Sequence, residues 1–282
     1  MSYSVIKSFA KINLALNITG KTTLLHKIET LVTFIELHDL IFIKKTNKKN
    51  HQVFFYGKFS KNISNNNNTV IKLLNILDQK NLLNNHKFQI RIQKNIPQKA
   101  GLGGGSMNTA NILNYFLKKK ILKIKNKDIV NITSLIGSDV FLGINPTNTI
   151  FTSNNNIKRF FKCPQYHVLL AKPNFGCSTK TIYSLVKNFT RAKFHFQKKL
   201  LFSSEFLIDQ SNALEKVAFL KYPILKTIKS FLESFITPIF VRMTGSGSVI
   251  VGYYQFKKDC EMAKVHFKRK FKNFWCITSK TI

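Results

Sequence analysis

The stretch from Pro97 to Ala110 reads PQKAGLGGGSMNTA. Four of the 12 glycines in the whole chain fall between Gly101 and Gly105. Before it, Phe88–Gln93 alternates, with Phe88, Ile90 and Ile92 on one face, as a strand does. After it, Ser106–Leu117 places Met107, Ala110, Leu113 and Leu117 along one side of a helix, with Ser106 as its polar cap. Glycine lets successive backbone N–H groups turn toward a ligand and lets that ligand approach the main chain. The start of a helix adds the positive end of a dipole. Strand, glycine loop and helix in that order predict a phosphate cradle. The loop is not a Walker A motif, because GxxxxGK[ST] is absent, and it is not a dinucleotide fingerprint, because no acidic ribose ligand follows at the right distance.

Working outward, Lys11–Ile18 (KINLALNI) alternates and predicts a half-buried strand, with Ile12, Leu14, Leu16 and Ile18 on its apolar side. Glu29–Ile35 and Leu40–Lys44 predict two further strands. Thr69–Leu77 predicts a helix capped by Thr69, and Lys127–Ile136 a helix ending at Gly137. The second half begins near residue 158. It predicts strands at Tyr166–Ala171, Ile239–Met243, Val249–Tyr254 and Asn273–Thr278, and helices at Ser178–Val186, Ser204–Leu220, Ile224–Phe235 and Lys257–Phe271. Strands and helices mix without a strict alternating rhythm, which favours an α+β class over a doubly wound sheet. A second glycine loop, Thr244–Ser248 (TGSGS), joins two of these strands.

At 282 residues and 44% hydrophobic content, the chain is long and apolar enough for two domains, divided here as 1–157 and 158–282. The N-terminus lacks the form of a signal peptide and no apolar run is long enough to cross a bilayer, so a soluble, cytoplasmic protein without membrane partners is expected. Cys163, Cys177, Cys260 and Cys276 form no CxxC pair or zinc spacing and are expected as reduced, buried thiols. The formal charge is +33, yet only five of the 45 basic residues are Arg. The lysines spread along the whole chain beside abundant Asn, Ile and Phe, without an aromatic nucleic-acid motif. No specific nucleic acid is expected as partner. The milder inference is an anionic substrate drawn by a positive field. The run Asn62–Asn68 predicts a polar surface loop.

Three segments, PQKAGLGGGSMNTA, FAKINLALNITGK near the N-terminus and MTGSGSVIVGYY near the C-terminus, occur in the order found in GHMP kinases, and the chain resembles that family over nearly its whole length. The resemblance implies a ribosomal-S5-like N-terminal domain and a ferredoxin-like C-terminal domain, with the active site in the cleft between them. It implies ATP and Mg²⁺, with ATP against Pro97, Lys99, Ala100, Gly101, Leu102, Gly103, Gly104, Gly105 and Ser106. It assigns Asp139, in GSDV, as catalytic carboxylate and Lys11 as catalytic ammonium. A carboxylate that accepts the proton of a sugar hydroxyl makes attack on the γ-phosphate easier, and an ammonium keeps that carboxylate ionised and stabilises developing charge.

Within the family the motifs look like those of members that phosphorylate the 2-hydroxyl of a cytidine diphosphate-linked methylerythritol. The implied substrate contacts are Asn13, His26, Tyr183, Thr244, Gly245 and Ser246. The alternatives are a different small alcohol, or nucleic-acid binding on a kinase fold. Three departures stand out. Leu25 occupies the place of a base-stacking Tyr, in a segment one residue shorter than usual. Met107 replaces a Ser beside Ser106. Lys99 and Ala100 replace glycines. Loss of one aromatic face predicts weaker substrate affinity, by about 1–3 kcal/mol of stacking.

Overall fold

The first strand is buried more completely than its alternation predicts. In the computed structural model, β1 (Ser4–Lys21) has both faces buried from Ala10 to Ile18. Its polar positions are satisfied rather than solvated: Lys11 pairs with Asn13, and Asn17 donates to the buried Glu29 carboxylate at 2.9 Å. The two strands expected at 29–35 and 40–44 are one continuous strand, β2 (His26–Thr46). The polar run Glu36–Asp39 suggests a break, but the strand continues because Asp39 is fully buried with partners for its carboxylate. All residues are described except Met1, Leu24, Asn155 and His195–Gln197.

The chain forms two units, each assembled from non-contiguous segments. The first comprises residues 1–10, 37–98 and 103–146. Here β3 (Gln52–Tyr56) pairs parallel with β4 (Lys87–Gln93), and β4 pairs antiparallel with the second half of β2, from Leu40 to Thr46. A parallel pair needs a crossover, and α1 (Thr69–Gln79) supplies it, burying Val70, Leu73, Leu74 and Leu77. Its cap is Asn68 rather than Thr69: the Asn68 side chain accepts from the N–H groups of Val70 and Ile71, and the Asn run therefore ends in a function. Helices α2 (Gly104–Lys118), α3 (Asn126–Ile136) and α4 (Ser138–Leu142) complete this unit, with Leu113, Phe116, Ile132 and Val140 in its core.

The second unit comprises residues 11–36, 99–102 and 147–282. The first half of β2 pairs through Thr30–Val32 with β5 (Asn148–Phe151), which pairs with β6 (Ile157–Phe160). Beyond these lies an antiparallel four-stranded sheet built from β7 (His167–Lys172), β8 (Phe240–Met243), β9 (Ile250–Tyr254) and β10 (Trp275–Lys280), in the order β10-β7-β9-β8. Numbered by appearance in the chain, that order is fourth, first, third, second, the ferredoxin-like arrangement that the resemblance implies. Helices α8 (Pro223–Ser234) and α9 (Lys257–Lys270) add Leu225, Ile228, Leu232, Cys260, Ala263 and Phe267 to the core with Leu169, Val241 and Ile250.

The helix expected over 204–220 is two short helices, α6 (Ser204–Ile208) and α7 (Glu215–Lys221), preceded by the brief α5 (Thr179–Ser184) further upstream. The interruption contains Asn212, which bridges to Leu16 and donates to the carbonyls of Met243 and Gly245. Those tertiary bonds outweigh helix propensity. All four cysteines are free and buried. Among the described residues no helix is long and apolar enough to cross a membrane.

Candidate active site

The glycine stretch is divided between the two units. Its first part, Lys99–Leu102, belongs to the second unit, where it is held by hydrogen bonds to three other elements. Lys11 N–H donates to the Leu102 carbonyl at 3.1 Å, Cys177 N–H to the Lys99 carbonyl at 3.0 Å and Val249 N–H to the Ala100 carbonyl at 3.3 Å. Gly101, at φ +76°, has no room for a side chain: a Cβ would stand 2.0 Å from the Thr244 carbonyl oxygen. Gly245, at φ +53°, faces it, so that the two glycine loops approach backbone to backbone. Lys99 is exposed and adopts φ +49°, which explains why glycine is the expected residue there and costs about 1 kcal/mol with a side chain present.

Around this crossing lies a chain of buried polar groups. The Lys11 ammonium, 4% exposed, donates to Asn13 Oδ1 at 2.8 Å. Asn13 Nδ2 donates to Thr30 Oγ1 at 2.8 Å, and Asn13 N–H to Thr244 Oγ1 at 3.0 Å. The Thr244 hydroxyl donates in turn to the Gly101 carbonyl at 3.1 Å. The side chains of Asn13 and Thr244 are thus engaged in bracing the loops, and Thr244 is fully buried. Ser246 Oγ lies 3.0 Å from Thr179 Oγ1. Behind the second loop, Glu215 Oε1 accepts Met243 N–H at 2.7 Å while Lys229 pairs with its other oxygen. Asn212 and Glu215 are scaffold residues that the sequence motifs do not include; the polar gap inside an apparent helix is the signal that could have found them.

In the first unit, the stretch continues into α2. The helix starts at Gly104, two residues earlier than expected, and its cap is Gly103, not Ser106: Gly103 takes a left-handed conformation and no side chain caps the end. Ser106 lies in the first turn, which carries no acidic residue. An uncapped helix start lined by Gly104, the exposed Gly105 and Ser106 has the donor set and the dipole that an anion needs. Pro97 is buried at the approach to this turn. Met107 is fully buried, and its sulfur lies 3.0 Å from where a Cβ would stand on Gly143. The side chain that replaces a hydroxyl therefore points into the core, where it seats α4 against α2. Ala110 and the Asn114 amide, which donates to the Gly143 carbonyl at 3.2 Å, complete that seat. Asp139, half-buried, occupies the first turn of α4.

Also in the second unit, the His26 ring is 5.2 Å from Tyr183 at 51°, and 6.5 Å from Phe189 at 59°. His26 Nε2 is buried without a hydrogen-bond partner. Burial, and secondarily the Lys21 charge, lowers the pKa of the imidazole from 6.5. Leu25 is 71% exposed, and Thr22 and Leu25 are joined by three mutual hydrogen bonds. Phe189, 47% exposed, is a member of this cluster that belongs to none of the sequence motifs. It is fixed by its neighbours: Thr190 bonds to the Ile18 carbonyl, and Glu29 accepts the N–H groups of Lys193 and Phe194. No local pattern marks it, because its partner in the ring cluster is more than 160 residues away.

The described residues contain no group of three or more His, Cys, Asp or Glu side chains poised to hold a metal ion.

Residues 68–149 match the family model described as GHMP kinases N terminal domain. The chain is 56% identical over 277 residues, 98% of each chain, to a protein of Pelagibacter ubique named 4-diphosphocytidyl-2-C-methyl-D-erythritol kinase. A protein of the same name from Petrotoga mobilis is 31% identical over 87% of this chain and 96% of its own. Among solved structures, a 4-(cytidine 5'-diphospho)-2C-methyl-D-erythritol kinase superposes with a TM-score of 0.78 at 20% identity, covering 98% of this chain and 99% of that one. The Methanococcus jannaschii mevalonate kinase superposes at 0.69 with 14% identity, over 100% and 99% of the two chains, and so shares the fold.

Proposed function

The chain belongs to the GHMP kinase family, and from that premise we propose that it transfers the γ-phosphoryl group of ATP to the 2-hydroxyl of 4-(cytidine 5'-diphospho)-2-C-methyl-D-erythritol, a step of non-mevalonate isoprenoid precursor synthesis. The observation that carries this reading is the 56% identity, end to end, with a kinase of that name. The uncapped start of α2 supports it, since the phosphates of a nucleotide are the anions such a helix end accommodates.

In this mechanism the Gly103–Ser106 turn would hold the ATP phosphates through its backbone N–H groups. The Ser106 hydroxyl is the group there that would meet Mg²⁺, which when bound would supply neutralising positive charge. Asp139 accepts the proton of the acceptor hydroxyl as its oxygen attacks phosphorus. The buried Lys11 ammonium, oriented by Asn13, stabilises the negative charge that builds up. Gly245 and Ser246 meet the acceptor's phosphates, while Asn13 and Thr244 hold the loop that presents them. Tyr183 stacks on the cytosine, and the orphaned His26 Nε2 bonds its edge. Phe189 supplies an aromatic wall that Leu25 lacks. The division at residues 157 and 158 into N- and C-terminal family domains belongs to the same proposal.

The test is ADP release by purified protein with Mg²⁺, with and without the cytidine diphosphate-linked acceptor. Acceptor-dependent release is expected. In Asp139→Asn it should fall by about 10²–10⁴-fold with the melting temperature unchanged. Release that ignores the acceptor, or survives in Asp139→Asn, would overturn the assignment.

A further inference from the structure

We propose that Asp39 is a positioning residue for the nucleotide site, clamping both stems of the glycine loop from inside the first unit. The inference rests on the reading of the α2 start as the ATP phosphate site. Asp39 lies in the middle of β2 and is completely buried. Its Oδ1 accepts the backbone N–H groups of Asn95 at 2.7 Å and Ile96 at 2.9 Å. Its Oδ2 takes the ammonium of Lys94 and, at 3.0 Å, the Nδ2 of Asn108. Residues 94–96 lead into the glycine stretch, and Asn108 lies in α2 just after it. One carboxylate therefore grips the chain on both sides of the loop.

The chemistry is specific to a carboxylate. Four donors converge on two oxygens, and an ionised Asp offers acceptors only, with about four lone-pair sites. An amide of the same shape would turn one oxygen into a donor facing two other donors. Stability alone is a weak reason to retain such a group, since a buried ion pair loses much of its Coulomb gain to desolvation and an apolar pair packs as well. Lys94, 3% exposed, feels that cost: burial lowers its pKa, against the opposing pull of Asp39. What an apolar pair does not provide is a fixed register between the end of β4 and the start of α2. The Lys94 ammonium also lies against that start, with Nζ 3.3 Å from where a Cβ would stand on Gly104. Asp39 thereby sets where a positive charge sits beneath the phosphate turn, as well as how the turn is held.

The test separates positioning from bulk stability. Binding of a non-hydrolysable ATP analogue with Mg²⁺ is measured by calorimetry, beside acceptor KM, kcat at saturating ATP and melting temperature. Asp39→Asn should weaken nucleotide binding about tenfold, and Asn108→Ala, which frees only the α2 stem, about threefold, with acceptor KM and kcat at saturation within about twofold of the parent. Nucleotide affinity within twofold of the parent in both folded variants, whatever their melting temperatures, would overturn the proposal and leave the pair a structural one. Should Asp39→Asn fail to fold, Asn108→Ala decides by the same criterion. Failure of the parent protein itself to bind the analogue would instead strike at the phosphate reading on which this one stands.

Discussion

Two regions of the second unit handle polar and aromatic groups in opposite ways. At the crossing of the glycine loops, Lys11, Asn13, Thr30, Thr244 and Gly101 are linked by a chain of hydrogen bonds, and backbone meets backbone with no space for a Cβ. At the ring cluster, Tyr183 and Phe189 stand partly open, and His26 keeps a buried nitrogen unpaired. Phosphoryl transfer depends on main-chain position, which a single extra carbon disturbs. Base recognition depends on flat side chains that can be contributed from different points of the chain. A substitution would therefore disturb different things in the two regions: a backbone approach at Gly101, and ring packing at His26 and Phe189.

The sharpest way to break this contrast is at Gly101. Gly101→Ala places a carbon 2.0 Å from a carbonyl oxygen at a left-handed backbone position. It should destabilise the fold by about 3 kcal/mol or more and abolish turnover, read by thermal unfolding and ADP release. A variant with near-parental melting temperature would show that the crossing is adaptable after all.

Substitutions in the ring cluster should act more gently and on one kinetic constant. Phe189→Ala is expected to raise acceptor KM by about 5–30-fold, while ATP KM and melting temperature stay near parental values. Leu25→Tyr should move acceptor KM the other way, by a smaller factor. A parental acceptor KM in Phe189→Ala would remove Phe189 from base recognition.

The smallest effect concerns pH. His26 in the folded protein titrates below 6.5, because burial and then Lys21 disfavour the imidazolium. The neutral imidazole is thus favoured more than in a free histidine, and protonation of the ring is displaced to lower pH. Acceptor KM should rise about threefold on going to mildly acidic pH, and His26→Gln should flatten that rise. A profile identical in parent and variant would exclude His26 as the group responsible.

Much of the fold is legible in the amino-acid sequence. PQKAGLGGGSMNTA announces a glycine turn that opens a helix because its glycines and the following helix are contiguous, and the apolar faces of α1, α8 and α9 follow from helical spacing within one segment. Local signals mislead where distant partners intervene. Glu36–Asp39 looks like a break in β2 until Asp39 meets Lys94, Asn95, Ile96 and Asn108. Residues 209–214 look helical until Asn212 reaches the second glycine loop. Ser106 looks like a cap, but Gly103 can adopt the left-handed turn that starts α2 two residues sooner.

The sequence by itself determined the α+β class, the order of the three motifs and the residue types available for phosphoryl transfer, because each is written in contiguous or evenly spaced residues. Only the tertiary structure decided which polar side chains brace the site and which stay open. It turned Met107 inward to seat α4, spent the Thr244 hydroxyl on Gly101, brought Phe189 to His26 and placed Asp39 beneath the loop. The physical reason is that a hydrogen bond or ring contact depends on distance in space, and chain folding makes neighbours of residues that no sequence window contains together.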